Sequence, residues 1–112
     1  MYSKELLKGT LKTIVLKLLS ENERMYGYEI TQHVKELTKE EIMITEGALY
    51  PALHRLEAEG LIYSEMEHIG GRKRKYYLLS EDGQESVTSQ LDELAGFLNN
   101  LGLVLNLKLD KK

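Results

Sequence analysis

Residues 45–60 read TEGALYPALHRLEAEG and carry the signals of one helix from its first residue to its last. Thr45 suits the N-cap position, because its hydroxyl can accept a hydrogen bond from a backbone N–H that has no partner within the helix. Gly60 stands where a glycine commonly ends a helix. The leucines between them repeat at intervals of four and three residues, which predicts a buried stripe along one side: Leu49, Leu53 and Leu56.

Pro51 lies inside this segment and leaves two interpretations open. A proline within a helix removes one backbone hydrogen bond, and its ring crowds the carbonyl group four residues earlier. That residue is Gly47, whose backbone has room to adjust, so the helix can run through Pro51. Alternatively, the regular helix begins near Leu49 and Pro51 occupies its first turn.

Two amphipathic helices are predicted upstream of this segment. In the first, apolar residues recur at spacings of one, three and four, which is typical of a wide apolar helix face: Leu6, Leu7, Leu11, Ile14, Val15, Leu18 and Leu19. The second follows Gly27 and has the same kind of repeat at Ile30, Val34 and Leu37. Residues 41–44, which read Glu-Ile-Met-Ile, could form a very short strand.

A β-hairpin is predicted downstream of Gly60. Residues 61–69 and 75–79 are strand candidates, and the glycine pair at 70–71 marks the turn between them. Residues 72–75 read Arg-Lys-Arg-Lys and would give the hairpin a basic tip. Adjacent like charges repel one another, so a partner of opposite charge explains this run better than a solvated loop does.

A last helix is predicted to begin at Ser80, which suits its N-cap. Glu81 and Asp82 follow in the first turn, where acidic side chains favour the positive end of the helix dipole. Apolar residues then repeat with the 3.5-residue period of a coiled-coil seam: Val87, Leu91, Leu94, Leu98, Leu101 and Leu105. Gly96 and Gly102 interrupt this pattern and weigh against one straight helix.

The order of these elements predicts a mainly α fold with a small β-hairpin, namely a winged helix-turn-helix domain plus a C-terminal dimerisation helix. Residues 1–80 would form the winged-helix domain and residues 81–112 the helix, together making one compact unit. A chain of 112 residues suits one such domain.

The composition predicts a cytoplasmic protein without membrane segments, cofactors or metal. The chain has no cysteine, so disulfide and thiolate chemistry are excluded. It has no apolar run long enough to span a membrane and no signal-peptide pattern at its N-terminus. His33, His54 and His68 lack the spacing of zinc ligands. Nucleophile and phosphate-loop motifs are also absent, so the sequence does not predict an enzyme.

The charge of the chain is unevenly distributed. Its net charge of −3 alone argues against nucleic acid, whose binding depends on neutralising phosphates. Without the four positive charges of residues 72–75, however, the rest of the chain carries −7 rather than −3. One basic projection on an acidic body favours a contact with phosphates at the hairpin.

Double-stranded DNA is therefore the predicted partner. A helix fits the major groove, where base edges carry a full code of donors and acceptors, and the hairpin would reach the adjacent backbone or minor groove. With the leucine stripe turned inward, the predicted DNA contacts are Thr45, Gly47, Tyr50, Pro51, His54 and Arg55 on the helix, and Arg72, Lys73, Arg74 and Lys75 on the hairpin.

Two alternatives stay open at this point. Tyr50 could be no more than a partly buried aromatic residue and Arg55 no more than a solvated charge. The whole domain could instead be a winged-helix module for protein–protein interaction, with its basic hairpin on an acidic partner surface. Binding to duplex DNA that weakens steeply with salt separates these readings.

Three segments resemble the PadR family of bacterial transcriptional regulators. Residues 46–62 are similar to the recognition helix of the family and the entry to its wing. The sequence Gly-Tyr-Glu-Ile at 27–30 resembles the start of its second helix. Residues 71–80, with Gly83, resemble its wing and the cap of its last helix. The likeness covers roughly residues 5 to 83, and the single short C-terminal helix is similar to that of the smaller PadR subgroup.

The resemblance implies a homodimer in which the last helix packs on the first helix of the partner, and it implies that the protein represses transcription. The interface would then consist of Leu7, Leu11, Val15, Val87, Leu91, Leu94, Leu98, Leu101 and Leu105. In some members, an aromatic or cationic ligand that binds between the subunits releases the DNA.

A small planar aromatic or cationic effector is the corresponding prediction for this chain, at Leu94, Phe97 and Leu98. Some members of the family stack their ligands on a tryptophan in the last helix, whereas this chain has no tryptophan. Phe97 is the one aromatic residue in that region, and its ring can offer a face for stacking or for a cation. Simple packing in a dry dimer core is the alternative role for Phe97.

Overall fold

A computed structural model describes residues 2–108 of the chain. Met1 and residues 109–112 lie outside the described residues. The predicted C-terminal unit, residues 81–112, is therefore described only as far as residue 108. The helices and strands are α1 (Lys4–Glu21), β1 (Met25–Tyr26), α2 (Gly27–Leu37), α3 (Glu46–Ala58), β2 (Ile62–Ile69), β3 (Arg72–Leu79) and α4 (Glu81–Leu105). The strands form one antiparallel sheet in the order β1-β3-β2. The mainly α fold with a small hairpin is therefore confirmed.

One apolar core lies between the first three helices and the inner side of the sheet. Its most deeply buried side chains come from all of these elements: Leu11, Val15, Leu16, Ile30, Leu49, Leu53, Leu56 and Tyr77. Burial raises the pKa of Tyr77 to about 12, because the phenolate form loses its hydration inside the protein. The leucine stripe of α3 thus faces inward, as its spacing predicts.

Helix α3 runs through Pro51, which decides between the two interpretations of this segment. It begins at Glu46, and the Thr45 hydroxyl accepts a hydrogen bond from the backbone N–H of Ala48 at 3.2 Å. The chain leaves the helix through Gly60, whose φ of +77° is a left-handed conformation that glycine adopts without strain. The regular helix therefore begins before Leu49.

Residues 41–44 form no strand, although the sequence suggested a very short one there. Lys39 and Glu40 have φ angles of 52° and 68°, so the chain turns sharply after α2. The backbone N–H of Ile42 donates to the Thr38 hydroxyl at 3.0 Å instead of to a strand. The strand that joins the hairpin in the sheet is β1, which pairs with Tyr76 and Tyr77 of β3. Apolar character at 41–44 instead reflects anchoring of a loop, with Ile44 buried.

The hairpin has the predicted glycine turn, but its second strand is longer than predicted. Gly70 and Gly71 have φ angles of 55° and 80°, as a tight two-residue hairpin turn requires. Because the turn is this short, β3 begins at Arg72 rather than at Lys75. The basic residues therefore belong to a strand, where successive side chains point to opposite faces.

Helix α4 is continuous through Gly96 and Gly102, so the interruption suggested by these glycines is wrong for the described residues. Its first turn is fastened to the end of the α3 segment. The Ser80 hydroxyl accepts from the N–H of Gly83 at 3.0 Å and donates to the carbonyl of Gly60 at 2.6 Å. The backbone N–H of Ser80 donates to the carbonyl of Leu61 at 3.1 Å. A side chain at Gly83 would collide with this same carbonyl oxygen.

Candidate nucleic-acid interface

Helix α3 presents one exposed face opposite its buried leucines. Gly47, Pro51, His54 and Arg55 are all exposed on this helix, and the N-cap residue Thr45 is exposed beside them. Gly47 has no side chain and Pro51 has a compact one, so another molecule can approach the backbone of α3 closely at these positions. His54 and Arg55 carry hydrogen-bond donors that suit phosphates or bases.

Tyr50 differs from the other predicted contacts because it is only half exposed. Its ring packs between α3 and the start of α2, where a Cβ on Gly27 would clash with the Tyr50 hydroxyl and lie 3.0 Å from Cζ. Gly27 therefore leaves the space that this tyrosine fills. Tyr50 has a role in packing α2 against α3 that its spacing in the sequence does not reveal.

The basic residues 72–75 fall into two pairs. Arg72 and Lys73, next to the turn, are exposed. They lie opposite Ile69 and His68 of β2, and neither partner is acidic. These two cations are the part of the run that remains available to a partner.

Arg74 and Lys75, in contrast, contact the protein itself. The guanidinium carbon of Arg74 lies 4.1 Å from the centroid of the Tyr26 ring. The Lys75 ammonium nitrogen lies 3.7 Å from a carboxylate oxygen of Glu57 in α3. Residues 72–75 look uniform in the sequence, but the structure gives them two roles. The first two are exposed, and the last two contact other parts of the protein.

A fifth cation, which the sequence reading missed, lies near the same hairpin. Arg24 precedes β1, and its guanidinium donates to Glu67 of β2 at 2.7 Å. This hydrogen bond is the main cause that raises the pKa of Arg24 above its usual value. Only the pairing of β1 with β3 brings Arg24 to the hairpin, and no local sequence signal shows that pairing.

The model of the PadR-like family of transcriptional regulators matches residues 15–89, which include α2, α3, the whole sheet and the start of α4. The chain belongs to this family. A PadR-like protein acts as a transcriptional regulator and not as an enzyme, as the sequence predicted.

Individual PadR-like relatives agree with this assignment. The chain is 35% identical over 95 residues to the transcriptional regulator Rv3488 of Mycobacterium tuberculosis, covering 82% of this chain and 85% of the relative. A transcriptional regulator from Clostridium thermocellum has the same fold with a TM-score of 0.80, at 30% identity, over 91% of this chain and 96% of that one. Bacillus subtilis PadR, solved in complex with operator DNA, gives a TM-score of 0.65 at 29% identity, over 72% of this chain and 46% of that longer one.

The residues expected at the dimer interface of this PadR-like chain have very different exposures. Leu11, Val15 and Val87 are buried within a single protomer, at 2%, 0% and 7% exposure. Four others are half-buried: Leu7, Leu91, Leu94 and Leu101. Leu98 and Leu105 are exposed. The apolar surface open to a second chain therefore lies toward the C-terminal half of α4.

Among the described residues, no helix of this PadR-like chain is both long and apolar enough to cross a membrane.

Proposed function

We propose that the protein is a sequence-specific DNA-binding repressor that acts in the cytoplasm as a homodimer. The observation that carries this proposal is the exposed face of α3, which lies opposite a fully buried leucine stripe on the same helix. The complex of Bacillus subtilis PadR with operator DNA supports it, since that relative has the same fold.

Helix α3 would recognise the base sequence of the DNA in the major groove. The exposed face of α3 has Gly47 and Pro51, which let the helix approach the groove floor, and His54 and Arg55, which can donate to base edges or phosphates. Thr45, Tyr50, Arg74 and Lys75 complete the predicted contact set. Arg72 and Lys73 would contact the backbone or minor groove next to it.

The second chain of the homodimer would cover apolar surface that one protomer leaves open. Phe97 and Leu98 are 60% and 45% exposed, and Leu103 and Val104 are 74% and 79% exposed. Large apolar side chains exposed together along one helix commonly mark a protein–protein interface. Two linked domains would also contact two half-sites of an operator at once. A dimer on an operator can repress by occupancy alone.

The planar aromatic or cationic effector would stack on Phe97, between Leu94 and Leu98 and the first helix of the partner. The exposure of the Phe97 ring in one protomer fits an effector site and a dry dimer core equally well. Calorimetric titration of planar aromatic cations into the free dimer and the DNA-bound dimer separates these roles. An effector that releases DNA must bind the free dimer more tightly, because the coupling is reciprocal.

Selection of bound duplexes from a random pool tests the DNA-binding function. We expect a two-fold symmetric consensus, and an affinity that falls steeply as salt increases. Enrichment of no sequence, together with salt-insensitive binding, would favour the protein–protein interaction module.

Removal of donors from α3 is expected to weaken operator binding without unfolding the domain. His54→Ala should cost about 1–3 kcal/mol of operator affinity if His54 reads a base. Tyr50→Phe removes the hydroxyl while the ring that fills the space beside Gly27 stays. Affinities are measured by fluorescence anisotropy, with His33→Ala on α2 as control. Wild-type affinity for both α3 variants would place the contact face elsewhere.

A charge on the open side of α4 is expected to separate the subunits. Leu98→Glu would bury a carboxylate in the apolar interface, at a cost of several kcal/mol in order of magnitude. The protomer itself should fold, because Leu98 is 45% exposed within it. Asn99→Glu adds the same charge one position off the seam and serves as the control. Sedimentation of Leu98→Glu as an unchanged dimer would remove this residue from the interface.

A further inference from the structure

The outer face of the sheet carries a group of interacting side chains, of which only Arg74 belongs to the predicted DNA contacts. We define this face by Tyr26 of β1, Glu65 and Glu67 of β2, and Arg74 and Tyr76 of β3. Cross-strand pairing aligns these residues, with Glu65 opposite Tyr76, Glu67 opposite Arg74, and Tyr26 opposite Tyr76. The opposite face of the sheet carries Tyr77 and contributes to the core.

Arg24 lies across this outer face and contacts two strands of the hairpin. Its Nη2 donates to Glu67 Oε2 at 2.7 Å, and its Nη1 lies 3.7 Å from Glu65 Oε1. Its guanidinium carbon is 3.9 Å from the centroid of the Tyr76 ring. One side chain from the loop between α1 and β1 therefore joins the hairpin to the body of the domain.

A second set of contacts extends this connection. The rings of Tyr26 and Tyr76 meet edge to face, with centroids 5.5 Å apart and planes at 86°. Arg74 then lies over the Tyr26 ring. The middle of the hairpin is thus held by a row of four side chains in the order Arg24, Tyr76, Tyr26 and Arg74, in which each guanidinium group faces one tyrosine ring.

The carboxylates under Arg24 have consequences for any contact with phosphates. Glu65 and Glu67 are the only acidic residues between Ile62 and Leu79. Glu67 is directly opposite Arg74 and therefore diagonal to Arg72 on the same face, and such diagonal neighbours are about 7–8 Å apart. That distance is within the screening length of about 8 Å at physiological salt. Without a counter-ion, these carboxylates would repel the phosphates that Arg72 and Lys73 attract.

We propose that Arg24 is a positioning residue for DNA binding. It does not contact DNA. It keeps Glu65 and Glu67 paired and holds the hairpin against the body, so that Arg72 and Lys73 meet the phosphates in a fixed orientation. This inference rests on the proposed DNA-binding function.

A double-mutant cycle tests this role. Dissociation constants for the selected operator are measured for the wild type, Arg24→Ala, Glu65→Gln/Glu67→Gln, and the variant with all three changes. We expect Arg24→Ala to weaken binding about ten-fold in the wild-type background, because two carboxylates near the DNA lose their counter-ion. In the background with both glutamines, the same change should alter the dissociation constant less than about two-fold, since those carboxylates are gone.

Three outcomes are distinguishable. An equal loss in both backgrounds would show that Arg24 contacts DNA itself or supports only the fold, and would overturn the inference while the proposed function stands. A wild-type protein that binds no duplex at physiological salt overturns both. If Arg24→Ala melts near the assay temperature, Arg24→Gln, which keeps a side chain of similar length, gives the same cycle with the same expected result.

Discussion

Gly83→Ala is expected to lower the free energy of unfolding by about 3 kcal/mol, although alanine is the better helix former. An added Cβ would collide with the carbonyl oxygen of Leu61, lie 3.0 Å from its carbon, and lie 2.9 Å from Cδ2 of Leu79. The flexible leucine can move, but the Leu61 backbone cannot, because its carbonyl also accepts the N–H of Ser80. A loss of this size is a large share of the stability of a small domain.

Gly9→Ala in α1 is the matched control for this change. Gly9 is also inside a helix, but it is exposed, and an added Cβ there meets no atom within 4 Å. Alanine should therefore stabilise that helix by roughly 0.5–1 kcal/mol. Urea unfolding followed by circular dichroism measures both variants. Equal stability of Gly83→Ala and the wild type would mean that α4 can move away from Leu61 without cost.

Arg72→Ala/Lys73→Ala is expected to weaken binding to every duplex. These two cations are exposed, and within residues 2–108 neither forms an ion pair or a cation–π contact. Loss of two phosphate contacts should reduce the slope of log affinity against log salt by up to about 1.8. Discrimination between operator and random DNA should change much less, since phosphate contacts carry no sequence information directly.

Lys4→Ala/Lys8→Ala removes the same charge from exposed positions on α1 and controls for a general change in net charge. Titrations at four or more salt concentrations give the slopes. If the hairpin variant and the α1 variant had the same slope, the hairpin would have no specific contact with phosphates.

Signals that act within a few residues predicted most of the fold. Thr45, Ser80 and the Gly70–Gly71 pair have the cap and turn roles that their chemistry predicts, because each role depends on neighbouring backbone groups. The leucine stripe of α3 is buried as its spacing predicts. These features need no knowledge of the rest of the chain.

Features that depend on distant pairing could not be predicted in the same way. Strand β1 has two residues, and it exists only because Tyr76 and Tyr77 lie beside it. The division of residues 72–75 into a free pair and a held pair depends on Tyr26 and Glu57, which are far away in the sequence. The burial of Leu11, Val15 and Val87 follows from packing of α1 and α4 within one chain, whereas their spacing fits a core and an interface equally.

The junction at Ser80 and Gly83 couples the orientation of α4 to that of α3, the proposed recognition helix. Because α4 is fastened to Gly60 and Leu61 at the end of α3, a tilt of α4 carries α3 with it. A helix of 25 residues is about 37 Å long. If the subunits pivot at its far end, a tilt of about 10° moves α3 by about 6 Å, or nearly two base pairs. In the proposed homodimer, the crossing angle of the two α4 helices would then set the spacing of the operator half-sites. Residues far from the DNA would decide which spacing that dimer accepts.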